Sequence, residues 1–222
     1  MTSIQQRDAQ SVLAGIDELL PNLRARAQET EDLRRIPDAS VAELEEVGFF
    51  KLVQPEQWGG LQSDPTLFFE AVRRLASACG STGWAMGILG VHNWHLAQFT
   101  QQAQEDVWSE DPAVRVSSSY APMGAGVVTD DGDGYIVNGA WRWSSGCDHA
   151  TWTFVGGPVI KDGRPVDFGS FLIPISDYNI VDDWFVVGLK GTGSKTLEIK
   201  DVFVPRHRFQ SFKQMSDGTA PG

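Results

Sequence analysis

Hydrophobic and polar positions follow two different rhythms along the chain. In the first half Val12, Leu13, Ile16, Leu19, Leu20 and Leu23 recur at spacings of three and four, which predicts a helix with one apolar stripe. "PDASVAELEEVG" (37–48) offers Pro37 and Asp38 as a start signal, acid in the early turns and Gly48 as a stop. "FFKLVQPEQWGG" (49–60) breaks the rhythm with Pro55, Gly59 and Gly60 and predicts a loop. From Asp64 the helical period returns, with Leu67, Phe68, Ala71, Val72 and Leu75 on one face. Two more helices are expected, from Ser81 to about Ala97 and over "QQAQEDVW" (101–108).

After Asp111-Pro112 the runs become short and β-like: "VRVSSSY", "GAGVVT", "GYIVNGAWRWSS", "TWTFVGGPVI", "FGSFLIP", "WFVVG" and "TLEIKDVFVP". Turn signals such as "DDGDG" and "KDGRP" separate them. The expected fold class is therefore α+β, an N-terminal helical domain (1–112) followed by an antiparallel β-sandwich or barrel domain (113–212). A frayed tail (213–222) completes the expectation.

Composition narrows the function. The 222 residues are 41% hydrophobic, enough for a sizeable core, and the formal net charge of −11 argues against a nucleic-acid surface. "PRHRF" (205–209) is too short a basic cluster to change that. Cys79 and Cys147 form neither a CxxC pair nor a disulfide framework, so a reducing cytoplasm is expected. No apolar run approaches a membrane span.

Several motifs fail on inspection. In "GLKGTGSKT" (188–196) Ser194 stands where a phosphate-binding P-loop needs Lys, and a strand pattern follows where that loop needs a helix. "GAG" (124–126) lacks the third glycine of a dinucleotide fingerprint, and no GxSxG elbow occurs. His92 and His95 in "HNWH" have no nearby acid or thiol to complete a zinc set, so no metal is expected.

The segment "WRWSSGCDHATWTF" (141–154) is the unusual one, with three tryptophans beside serines, a cysteine and a histidine. Strict alternation puts Tyr135, Val137, Trp141, Trp143 and Ser145 on one face, and Asn138, Arg142 and Ser144 on the other. In "VSSSY" Ser118 and Tyr120 face one way, Ser117 and Ser119 the other. Two readings stay open: an aromatic core seam, or the wall of a site that sets indoles against a ring and hydroxyls at its edge.

Longer segments carry a resemblance. "VGFFKLVQPEQWGG", "CGSTGWAMGILGVHNWHLAQF", "SSSYAPMGAG" and "WSSGCDHATWTFVGGPVIKDGRPVDFGSFLIP" resemble the two-component flavin-dependent monooxygenases that hydroxylate phenols, within the acyl-CoA dehydrogenase fold superfamily. The resemblance implies that Trp84, Ser118, Ser119, Tyr120, Trp143, Ser144 and Ser145 contact flavin, with Ser145 near ring atom N5 and catalytic. It implies that His92 lies at the substrate end of the cleft as a second catalytic residue, and that His149 supports the wall. It further implies reduced FMN (FAD as the alternative) supplied by diffusion from a separate, transiently associating NADH-dependent reductase, with O2 as co-substrate. The implied substrate is a steroid-derived phenol, 3-hydroxy-9,10-secoandrosta-1,3,5(10)-triene-9,17-dione, hydroxylated ortho to its hydroxyl during steroid breakdown. Such proteins are expected to be cytoplasmic homotetramers whose chains continue into a C-terminal helical bundle with another catalytic histidine. Gly222 stops short of that bundle. The alternatives are an acyl-CoA dehydrogenase-type oxidoreductase and a truncated non-catalytic flavin-binding protein.

Overall fold

The computed structural model describes residues 8–222. Six helices come first: α1 (Ala9–Ala25), α2 (Ala27–Leu33), α3 (Asp38–Val47), α4 (Pro65–Ala78), α5 (Gly80–Leu96) and α6 (Gln101–Trp108). Their starts follow local chemistry. Asp8 and Ser11 form a reciprocal capping box on α1, Asp64 caps α4 ahead of Pro65, and the Thr100 hydroxyl accepts from Ala103 N. α3 ends at Gly48, whose φ of 89° suits a left-handed cap.

α5 is the innermost helix and lacks a polar face, with residues buried on nearly every side. Its approach to α4 depends on glycine: a Cβ on Gly83 would lie 2.6 Å from Ala76.

Eight strands follow: β1 (Val116–Ser119), β2 (Gly124–Val128), β3 (Gly134–Ser144), β4 (Trp152–Lys161), β5 (Arg164–Pro174), β6 (Asn179–Val181), β7 (Lys195–Pro205) and β8 (Phe209–Ser211). A short helix, α7 (Phe212–Ser216), comes after them, so the expected tail begins as ordered helix. The sheet runs β6-β7-β3-β2-β4-β5-β8, with β1 also on β4. It is mostly antiparallel, but β1 and β2 both pair parallel to β4, which the expectation of a purely antiparallel domain omitted. β1 occupies the start of that β4 edge and β2 its end. Between them the chain crosses at Gly156, where a Cβ would fall 2.4 Å from the Tyr120 carbonyl oxygen.

"WFVVG" (184–188) forms no strand, contrary to expectation; β6 lies just before it, and Phe185 and Val187 are exposed. β8 was not foreseen, because it is only three residues long and begins at the last residue of the basic cluster.

Three apolar cores result. One joins α1, α3, α4 and α5, and a second fills the coiled sheet around Trp141, Phe171 and Leu197. The third is shared between helices and sheet: Leu96, Phe99, Ala103, Val107 and Trp108 pack with Val116, Phe154 and Leu172. It fixes α5 against β1 and so sets the site described next.

Candidate functional site at the junction of α5 and the sheet

β3 decides how the tryptophan-rich segment is displayed. Opposite β7, Trp141 pairs with Leu197 and Ser144 with Lys195, so β3 spends one more residue than its partner. The extra residue makes a bulge, and Trp143 within it adopts φ 69°, a conformation that is strained for a side chain this large. The bulge corrects the simple alternation. Trp141 is fully buried and donates through Nε1 to the Gly156 carbonyl at 2.7 Å. Trp143 turns outward and is 57% exposed, whereas Ser144 turns inward. The Ser144 hydroxyl is buried without a hydrogen-bond partner, so it does not line the surface beside Trp143.

Ser145 meets the helix. Trp84 of α5, 54% exposed, donates from Nε1 to Ser145 Oγ at 2.9 Å. Ser145 Oγ lies 2.8 Å from Ser194 Oγ, which lies 2.7 Å from Thr192 Oγ1. Thr192 in turn donates to the Leu189 carbonyl at 2.9 Å. The loop carrying these hydroxyls is pinned by Glu31 of α2, which accepts from Lys190 N at 3.0 Å, from Gly191 N and from the Ser81 hydroxyl.

Ser119 ties the two predicted segments together by donating to the Arg142 carbonyl at 2.7 Å. Ser118 is buried, in register with Phe154. Tyr120 is turned back toward α5, its hydroxyl 2.6 Å from His95 Nδ1.

His92 is buried and donates from Nδ1 to the Val116 carbonyl at 2.6 Å, which leaves Nε2 unprotonated. Its ring stands edge-on to Phe154 and Tyr120. Burial depresses its pKa to about 4, and that of His95 to about 3, so both are neutral bases. His92 sits two turns beyond Trp84 on α5, roughly 12 Å along the axis at about 1.5 Å per residue. Trp84 and Ser145 are therefore brought together, as are Ser119 and the Arg142 backbone, while His92 stands at the far end. Cys147 is buried beside Gly193, and burial pushes its thiol up to about 12, which removes it as a nucleophile. His149 supports the turn by a 2.8 Å bond to the Ile36 carbonyl.

Ser194, Thr192 and Glu31 escaped sequence reasoning. The signal was present in the hydroxyl-rich "GTGSKT", which reads as a glycine-rich turn between strands once its phosphate-loop pattern fails. A concavity of about 1540 Å³ between α1, α3 and residues 51–63 holds none of these side chains. Among the described residues no group of three or more His, Cys, Asp or Glu side chains is placed to hold a metal.

Residues 11–113 match the family described as acyl-CoA dehydrogenase, N-terminal domain. The crystal structure of the HsaA monooxygenase from M. tuberculosis superposes with a TM-score of 0.95 at 74% identity, covering 97% of this chain and 58% of that one. The chain has an acyl-CoA dehydrogenase-like fold. It is 75% identical, over all 222 residues, to the flavin-dependent monooxygenase oxygenase subunit HsaA of Mycobacterium tuberculosis. It is 42% identical over 212 residues, 95% of the chain and 50% of the relative, to the oxygenase component of the FADH2-dependent resorcinol hydroxylase of a Rhizobium species. The chain spans 56% of the length of the HsaA relative.

The residues fit a flavin ring by their own chemistry. Exposed indoles at Trp84 and Trp143 offer apolar faces to a flat heteroaromatic, and Ser145 offers a hydroxyl for its polar edge. A strained, outward-turned tryptophan is costly to keep without a ligand to cover it.

Proposed function

We propose that this chain builds the flavin wall of the oxygenase component of a two-component monooxygenase that hydroxylates a phenol to a catechol. The observation that carries the reading is the Trp84–Ser145 contact beside the strained, exposed Trp143. The names of the relatives support it, since one is a flavin-dependent oxygenase subunit and another acts on resorcinol, itself a phenol. We extend the reading to the secosteroid phenol as substrate, because the relative at 75% identity is an HsaA subunit. Bound reduced flavin would supply the electrons that activate O2.

The protein's share of the work is assigned as follows. Trp84 and Trp143 flank the ring and exclude water. Ser145 holds its polar edge. His92 Nε2, a neutral acceptor, takes the phenol proton and so raises electron density on the ring to be attacked. Reduced flavin would come from a separate NADH-dependent reductase by diffusion, which fits a cytoplasmic protein. Among the described residues no helix is long and apolar enough to cross a membrane. Trp84, Trp143 and Ser145 address the ring that FMN and FAD share, so we favour FMN without expecting these residues to reject FAD. The homotetramer is proposed for the longer family chain.

The test is an anaerobic titration of the 222-residue chain with reduced FMN and with FADH2, repeated on Trp143→Ala and Ser145→Ala. The expected result is binding by the parent and at least tenfold weaker binding by each variant at unchanged unfolding midpoint. Loss of folding with unchanged affinity per folded molecule would return the segment to core packing. Retention of a CoA thioester in place of flavin would favour the dehydrogenase reading.

A further inference from the structure

The hydroxyl relay behind Ser145 runs in one direction only. Thr192 Oγ1 donates to the Leu189 carbonyl, an oxygen that cannot donate back. A hydroxyl has a single proton, so Thr192 can only accept from Ser194 across 2.7 Å. Ser194 has then spent its own proton and accepts from Ser145 across 2.8 Å. Ser145 receives a further proton from Trp84 Nε1, an indole N–H that donates only. The order Trp84 to Ser145 to Ser194 to Thr192 to Leu189 is thus fixed at both ends. Ser145 is left with one open lone pair and no free proton.

We propose that Ser194 and Thr192 are positioning residues that hold Ser145 as a hydrogen-bond acceptor and thereby select the reduced state of the flavin. The inference rests on the flavin reading above and deepens it. Reduced flavin carries a hydrogen on ring N5, whereas oxidised flavin presents a bare acceptor nitrogen there. The open lone pair of Ser145 pairs with the first and opposes the second. A serine without the relay would rotate its proton to suit either form. The loop is built to prevent that rotation. Leu189 and Gly193, both in left-handed conformations, bracket the Lys190–Thr192 turn, and Glu31 holds its amides. The Thr192 carbonyl also accepts from Gly146 N at 2.8 Å, which locks the loop to the residue after Ser145.

The experiment measures dissociation constants for oxidised and reduced FMN, anaerobically, on the chain and on Ser194→Ala, Thr192→Val and Ser194→Thr. The parent should favour reduced FMN. Ser194→Ala should shrink the ratio of the two constants about tenfold, a fall of about 30 mV in the two-electron potential of bound flavin. The change should come chiefly from tighter binding of the oxidised form. Thr192→Val should move the ratio the same way, and Ser194→Thr, which keeps the hydroxyl, should restore it. A parent that binds neither form overturns the flavin reading and the relay with it. A discriminating parent whose ratio is unchanged in Thr192→Val and Ser194→Ala overturns the relay alone. If Ser194→Ala does not fold, the Thr192→Val ratio decides by the same criterion.

Discussion

At the scale of single residues, Trp143 holds the sharpest conflict between conformation and side chain. Glycine would occupy φ 69° in the bulge without strain, yet an indole stands there, half out in solvent. Trp143→Gly is therefore expected to leave stability unchanged or raise it by about 1 kcal/mol while weakening flavin binding. Urea unfolding read beside the anaerobic titration checks this, and a large loss of stability would mean that the ring is a packing element. The same residue shows where sequence reading reached its limit. Strict alternation placed Trp143 with Trp141, because a bulge is set by the partner strand, and β7 lies fifty residues further on. The pairing of Trp84 with Ser145 was equally hidden, since nothing in either local segment names the other. The residue types themselves, indole and hydroxyl in one short run, were legible.

At the scale of elements, five of the six helices were readable from their apolar periods and their start and stop residues, whereas α2 (Ala27–Leu33), a short and mostly polar run, was not foreseen. The miss at 184–188 has a physical cause. Its apolar residues find no strand partner; Trp184 donates to the Leu189 carbonyl at 3.1 Å, and Phe185 lies under the Arg34 guanidinium at 4.1 Å. The segment becomes the outer arm of a loop that Glu31 holds from below. Glu31→Ala is expected to cost about 1–3 kcal/mol, the range for stranding buried donors. It should also speed amide hydrogen exchange at Lys190 and Gly191 more than at β7. Uniform loss of protection across the sheet would show instead that Glu31 supports the whole fold.

At the scale of the whole molecule, two expectations follow from burial. His92 and His95 are neutral when folded, with pKa values near 4 and 3 against 6.5 when exposed, the chief cause being desolvation. Between about pH 6.5 and 4 the unfolded chain binds more protons than the folded one, so stability falls as pH falls. Burial also depresses His149, which adds in the same direction. The loss from pH 7 to pH 5 is on the order of 2 kcal/mol for each of His92 and His95. Replacing both by Asn should flatten the dependence of the urea midpoint over that range, and an unchanged slope would refute the assignment. Phe154 stacks on Phe99 at 5.1 Å and lies 4.4 Å from His95, centroid to centroid. Phe154→Ala is expected to cost about 3–5 kcal/mol. Because helices and sheet share that core, far-ultraviolet dichroism and tryptophan fluorescence should move in one transition. Two separated transitions would mean that the halves fold independently.

The shared third core also imposes an order on birth. As the chain leaves the ribosome, Leu96, Phe99 and Trp108 emerge well before Leu172, which completes their packing. At about 5–20 residues per second that interval lasts on the order of several seconds. Throughout it the nascent helices present an uncovered apolar face to the crowded surroundings. Slowing synthesis within the β4–β5 hairpin would lengthen that exposure, and the yield of soluble protein should depend on chaperone supply at that stage more than on the stability of the finished fold.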